Sequence, residues 1–269
     1  METIMEIAKC AENGMLYTAI SFSHLPLGEL TRKRRMLQCP ECGNTAFFRN
    51  TTESGNRVAH FGARPHAPGC KQAAHDIERE FYVADPDALC LPAGKIVVDF
   101  GFGSPAQFQA ASQREADPDA FFHSGQTEAK VQRRLSSLLK LIVSFPEFRA
   151  STQPIEVHGC SDFTVADFFV PVTAVSELFI GQFRGFWGML SDVRFNEEKT
   201  TVWFNCAGSR VSFCLNSRYL DEIVQRHRPR DAEDFAGAYI LVIGWLNIAQ
   251  NGKLYCAVDG IEHMALKFT

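Results

Sequence analysis

No stretch of this chain is apolar enough to cross a bilayer: the longest run, residues 235–248, is broken by Asn247 and falls short of the roughly 20 residues a span needs. A basic, apolar leader is missing as well. Glu2 and Glu6 stand where such a leader carries positive charge, so no secretory signal is expected. Nor is there an even cysteine framework. The cysteines number nine, and Cys206, Cys214 and Cys256 lie in alternating apolar stretches, where a reduced thiol behaves as a small hydrophobe. These absences predict a cytoplasmic protein with reduced thiols and no membrane partner. The formal net charge of −4 excludes a surface coated in positive charge for indiscriminate phosphate binding. No repeat of solenoid length is apparent.

What is present is a chain of 269 residues with 46% hydrophobic content, long enough for one sizeable core or two modest domains. Charge is unevenly spread. Residues 32–71 carry eight basic against two acidic side chains, a local charge of +6, and include Arg34 and Arg35. Any contact with nucleic acid must rest on such local patches.

Residues 3–24 alternate weakly around Asn13-Gly14, which predicts a hairpin. A short helix is expected over 72–81 and a strand over 95–100, ending at Gly101. Residues 103–124 mix Ser, Pro, Gln, Ala and Asp without period and read as a linker or mobile loop. Val131, Leu135, Leu138, Leu139 and Ile142 then fall on one helical face, with Pro146 as the stop. From residue 183 onward strand alternation dominates: 183–195, 200–206 and 210–215, a helix over 217–227, then 238–249 and 253–259 joined by a turn at Asn251-Gly252. Three strands, a helix and two strands is the chain order of the five-stranded barrel called the OB-fold. Gly185 and Gly188 suit the bend that lets one strand serve two sheets. The expected fold class is α+β. An N-terminal zinc-ribbon-like module occupies 1–102, a linker 103–124, a helix with its connecting segment 125–175, and an OB-fold-like barrel 176–269.

The strongest chemical signal is Cys39-Pro40-Glu41-Cys42-Gly43. Two thiolates three positions apart can approach one ion, while Gly43 frees the backbone to turn its amides toward the sulfurs. His60 and Cys70 are the expected third and fourth ligands, with His66 and His75 as competitors for the histidine place. Three thiolates and one imidazole saturate a tetrahedral Zn2+ and leave no open position, which implies a structural ion.

The N-terminal hairpin, the knuckle, an intervening basic hairpin, the His60-Phe61 pair and Cys70 together resemble the N-terminal zinc module of the competence protein CoiA-like family, over roughly the first quarter of the chain. The resemblance implies a DNA-processing or recombination context for Cys39, Cys42, His60 and Cys70. In that family the module precedes a nuclease-like domain, which here departs from the pattern. A metal-dependent nuclease needs acids and a lysine converging on magnesium, and the fragments that could serve are Asp99, Glu128 and Lys130. Glu128 and Lys130 read better as the solvated start of the helix near Leu135, and the stretch His75-Asp76-Ile77-Glu78 does not match the family's spacing.

In the barrel, alternation assigns Trp187, Met189, Val193, Val202, Phe204, Val211, Phe213, Val242, Leu246 and Val258 to the inside. The opposite set, Arg184, Phe186, Arg194, Trp203, Asn205, Arg210 and Ser212, interleaves rings with guanidinium groups. Lys253 and Tyr255 join it from the last strand. Such a face could stack bases and hold phosphates without sequence specificity. The segment from Ile243-Gly244-Trp245 to Asn251-Gly252-Lys253-Leu254-Tyr255 looks like OB-folds of the single-strand-binding kind. Residues 231–234, by contrast, are acidic and would repel a phosphate chain nearby. The expectation is therefore a non-catalytic, zinc-stabilised accessory protein that holds single-stranded DNA. The alternatives are a divergent CoiA-like metal-dependent nuclease and a protein-interaction adaptor within a DNA-processing complex.

Overall fold

The computed structural model describes residues 5–52, 57–73, 95–98, 100, 130–133, 135–157 and 160–268, with the backbone course alone for 130–133 and 160–162. Met1–Ala84 and Val170–Thr269 form one compact unit and Asp85–Phe169 a second. The N-terminal module and the barrel, expected as separate domains from their order in the chain, thus share a unit. The expected linker, 103–124, lies outside the described residues, as does most of the helix expected over 72–81.

In the module, β1 (Ile7–Cys10) is flanked by β2 (Leu16–Thr18) and β3 (Leu37–Gln38), both antiparallel to it. The turn after β1 is the expected one: Gly14 takes φ +70° and Met15 N–H donates to Asn13 Oδ1 at 3.1 Å. Thr18 caps the helix Ala19–Ser23 by accepting from Ser21 N–H at 3.2 Å, satisfying one orphan donor. That helix delivers Phe22 against Phe48 and Phe61, with ring centroids 4.9 and 5.4 Å away in edge-on contact. Phe48 and Phe61 come from the hairpin of β4 (Ala46–Arg49) and β5 (His60–Ala63), all of whose residues are buried. The hairpin is therefore covered on both faces. Ala46, Phe48, Phe61 and Ala63 face the module's own core. Phe47, on the other face, packs against Gly62 and Gly237, and a Cβ on Gly237 would lie 2.6 Å from its ring.

The second unit holds a sheet in the order β7 (Lys130–Arg133), β6 (Lys95–Val98), β8 (Pro154–Val157), β9 (Cys160–Thr164). β6 runs parallel to β7 and β8. The helix between them is Leu135–Ser144, burying Leu135, Leu138, Leu139, Leu141 and Ile142. The periodicity located this helix but overextended it, because Val131 and Lys130 belong to β7. Lys130 is not part of a helix start. Pro146, expected as a stop, opens the next short helix, Pro146–Arg149, at a first-turn position where its missing N–H costs nothing.

After β10 (Phe169–Pro171) comes the barrel: β11 (Phe183–Phe195), β12 (Thr201–Cys206), β13 (Ser212–Asn216), the helix Leu220–His227, β14 (Tyr239–Ile248) and β15 (Leu254–Val258), followed by β16 (Met264–Lys267). Pairing runs β11-β12-β13-β15-β14, and β14 returns to β11, closing a five-stranded ring. The β13–β15 pair is parallel and the other four are antiparallel. Closure depends on the 13 residues of β11, whose first half pairs with β14 and whose second half pairs with β12. Between the halves, the register with β12 shifts between Leu190 and Asp192.

That shift corrects the inside and outside assignments made from alternation. Phe186 and Leu190 are fully buried in the barrel core, and Val193 packs against the same core. Counting back by twos from Val193 passes over the extra residue of the bulge and lands on Trp187 and Met189. Those side chains are buried, but outside the barrel cluster. Past the bulge the alternation holds, with Val202, Phe204, Phe213, Val242, Leu246 and Val258 all inside. Gly188, near the point where β11 changes partner, also admits Val172, which leaves no room for a Cβ. Among the described residues no helix is long and apolar enough to cross a membrane.

Candidate metal centre and barrel face

The knuckle forms directly after β3. Cys39 N–H donates to Asn44 O at 2.8 Å and Gly43 N–H to Cys39 O at 2.9 Å, with Gly43 at φ +72° where a side chain would be strained. A second loop follows β5. It carries His66 and Cys70, turns at Gly69 with φ +81°, and is tied to the knuckle by Asn44 Nδ2 donating to Pro65 O at 2.6 Å. The two loops bring Cys39, Cys42, His66 and Cys70 together, one ligand atom each, all within 4.8 Å of one another. His66 Nδ1 lies 3.6 Å from Cys42 Sγ and 3.4 Å from Cys70 Sγ, and Cys39 Sγ lies 3.9 Å from Cys70 Sγ. This group can hold a metal ion.

His60, the expected histidine ligand, is not in the group. As a residue of β5 it pairs with Arg49 across the hairpin, and its Nδ1 lies 2.8 Å from Val58 O. His66 takes its place because a loop residue can turn toward the knuckle, whereas a strand fixes each side chain to one face. His75 lies outside the described residues.

Electrostatics fit a cation site. Burial pushes the Cys42 thiol up, but the amides of Ala67 and Asn44, with the His66 ring, outweigh it and bring the thiol down to about 6. Burial pushes the Cys70 thiol up to about 12, helped by the neighbouring Cys42 and Cys39. One thiolate thus forms readily while the next is opposed by the charge already there, a conflict that a bound cation relieves. Glu41 braces the second loop, accepting from Lys71 N–H at 3.0 Å.

Four of the module's arginines, Arg34, Arg35, Arg49 and Arg57, are engaged by other groups of the protein. Arg34, buried, donates to both carboxylate oxygens of Glu233, at 3.0 and 2.5 Å, and to Phe48 O at 2.7 Å. Arg35 Nη2 donates to Val211 O at 2.7 Å. Arg57 pairs with Asp231 at 2.8 Å and Asp234 at 2.6 Å, and Arg49 Nε donates to Ala236 O at 2.9 Å. The acidic stretch at 231–234 therefore pairs with Arg34 and Arg57 across a seam with the barrel.

The expected barrel face survives in reduced form. Phe186 is core, and Asn205 is a buried strut that donates to Asp192 Oδ1 at 2.7 Å and accepts from Ser212 Oγ at 2.8 Å. Arg194 Nε is tied to the same Asp192 oxygen at 2.9 Å. Arg184, half-buried, donates to Phe183 O at 2.8 Å. What remains together is Trp203, Lys253 and Tyr255: Lys253 Nζ sits 4.0 Å from the Trp203 ring centroid, and the Tyr255 ring meets Trp203 edge-on at 6.0 Å. Burial, then the Arg35 guanidinium, holds the Lys253 ammonium below its ordinary value. Arg210 is exposed on the loop before β13. Trp245 is a further ring on the outside of the barrel, 56% exposed on β14 with the Phe183 ring 5.4 Å away, and its sequence signal is an aromatic on the outward phase of that strand.

Of the residues considered for nuclease chemistry, Asp99 and Glu128 lie outside the described residues. Lys130 pairs with Lys95 at one end of β6, whereas Val98, at the end that leads to Asp99, pairs with Arg133. No protein-family model matches the chain, and no curated protein matches it at a significant level.

Proposed function

We propose that this is a zinc-braced, non-catalytic nucleic-acid-binding protein that holds a single strand on the outer face of β12, β13 and β15. The observation that carries the reading is the packing of Trp203, Lys253 and Tyr255 on that face. Five strands closed in the order first, second, third, fifth, fourth, with a helix between the third and fourth, support an OB-fold reading. The oligonucleotide face of that fold is built on the second and third strands and the loops after the first and fourth. Lys253 stands at the end of the second of those loops. Ring stacking supplies about 1–3 kcal/mol per base and tolerates any sequence. Single-stranded DNA in a processing or recombination setting is the polymer that the module's resemblance favours.

Zinc is the ion that suits the donors. Bonds of about 2.3 Å to sulfur and 2.0 Å to nitrogen give a tetrahedron with edges of roughly 3.5–3.8 Å, close to the 3.4, 3.6 and 3.9 Å separations here. Three thiolates and an imidazole leave no place for a reacting water, so the ion's role is to hold two loops together.

Titration of a labelled oligonucleotide at several salt concentrations tests the function. The expected result is affinity that falls with salt and weakens in Trp203→Ala. Failure of the wild-type protein to bind any single strand at low salt would remove the proposal.

A further inference from the structure

A cleft of about 1070 Å3 lies away from both the metal cluster and the Trp203 face. Its walls come from β1, the helix Ala19–Ser23, the approach to β5, the residues after the helix Leu220–His227, and Phe268. Three kinds of chemistry meet there. Ile7, Ile20 and Val58 form an apolar wall, 42%, 65% and 71% exposed, in a protein that buries most side chains of that type. The His227 and Phe268 rings pack together as a tilted pair, 5.1 Å apart and inclined by 31°, and form an aromatic platform. Guanidinium groups supply the rest, and they divide sharply. Arg49 and Arg57 are already engaged with Ala236 O and with Asp231 and Asp234. Arg228 and Arg230 are exposed, and among the described residues neither side chain has a partner.

Arg228 carries a second peculiarity. It ends the helix with φ 50° and ψ 48°, a left-handed position that glycine fills without steric cost and arginine does not. The long cationic side chain stands at the cleft despite that cost. Asp234 is already held by Arg57 and by the Arg230 backbone N–H, at 2.6 and 2.8 Å, which leaves Glu6 as the one lining carboxylate without a side-chain partner among the described residues.

We infer that this cleft binds a nucleoside phosphate, its base against the His227–Phe268 platform and the apolar wall and its phosphate on Arg228 and Arg230. A planar apolar body joined to an anion is the ligand for which both halves of the lining have a use. The volume is at the upper end of small-molecule sites, which run to about 1,000 Å3. The same chemistry is offered by a free mononucleotide and by the terminal nucleotide of a strand. The inference does not depend on the barrel face, and its test separates the two.

The test is calorimetric titration of the full-length, metal-loaded protein with a nucleoside 5′-monophosphate, the parent nucleoside and inorganic phosphate. The monophosphate is expected to bind at least about tenfold more tightly than either fragment, as a charge-assisted contact coupled to ring packing requires. Arg228→Gly relieves the left-handed backbone while removing the guanidinium, so it should fold at least as well as wild type and lose about tenfold in affinity. Arg230→Ala should do the same, and Trp203→Ala should change nothing. Competition by a 5′-phosphorylated but not a 5′-hydroxyl oligonucleotide would support the site and identify the strand end as its ligand; displacement by free monophosphate alone would support it with a mononucleotide. No binding of the monophosphate, binding unchanged in Arg228→Gly and Arg230→Ala, or binding abolished by Trp203→Ala would each overturn it.

Discussion

Two regions of this chain look alike in sequence, since both mix arginine or lysine with aromatic rings, and they differ in the folded protein in what their cations meet. In the module, Arg34, Arg49 and Arg57 turn into a seam and meet Glu233, Asp234, Asp231 and backbone carbonyls. On the barrel, Lys253 has no carboxylate partner among the described residues and rests on the Trp203 ring. Local charge density therefore says little about surface potential until acids distant in the chain are placed. Residues 231–234, acidic in the sequence, pair with Arg34 and Arg57 of the module.

The largest effect that would break this contrast is loss of the metal proposed for the Cys39, Cys42, His66 and Cys70 group. Structural zinc contributes on the order of 10 kcal/mol to small domains; chelation or Cys39→Ser should therefore unlink the two loops and expose residues 5–73 to limited proteolysis while the barrel stays resistant. Equal resistance in the metal-free protein would mean that the seam alone holds the module.

Next is the seam's packing. Phe47→Ala removes the ring held between Gly62 and Gly237 and should cost about 3–5 kcal/mol in denaturant unfolding. Gly237→Ala sets a Cβ 2.6 Å from that ring at φ +84°, and should also destabilise. Arg34→Met keeps the stem but leaves Glu233 facing an apolar group; the expected cost is about 2–3 kcal/mol, less than for a fully buried pair because the Glu233 side chain is 26% exposed. Trp203→Ala is the mildest for folding. It should cost about 1 kcal/mol of stability or less, yet weaken oligonucleotide binding by roughly 5- to 100-fold. A large stability loss with unchanged binding would make Trp203 a packing residue.

Much of the barrel could be read from the chain because its signals are local. The 183–195 strand, the Asn251-Gly252 turn and the helix after residue 217 each depend on alternation, a left-handed glycine or an apolar stripe, and all occur where expected. The bulge between Leu190 and Asp192 has no such local mark, and it reversed Phe186 and Trp187. Three of the four metal-site residues followed from cysteine spacing. The fourth did not, because choosing His66 over His60 requires knowing that one lies on a loop and the other on a strand. The fate of Arg34 and Arg35 was out of reach for a different reason: Glu233 and Val211, which they meet, lie more than 170 residues away.

The most direct test is the salt dependence of single-strand binding in Lys253→Ala beside Arg34→Met, with both variants shown to be folded. The account requires the Lys253 change to weaken binding and flatten the slope of log affinity against log salt by up to about 0.7, one strand phosphate lost, while the Arg34 variant keeps the wild-type slope. A flattened slope in Arg34→Met with an unchanged one in Lys253→Ala would place the polymer on the module and contradict the account.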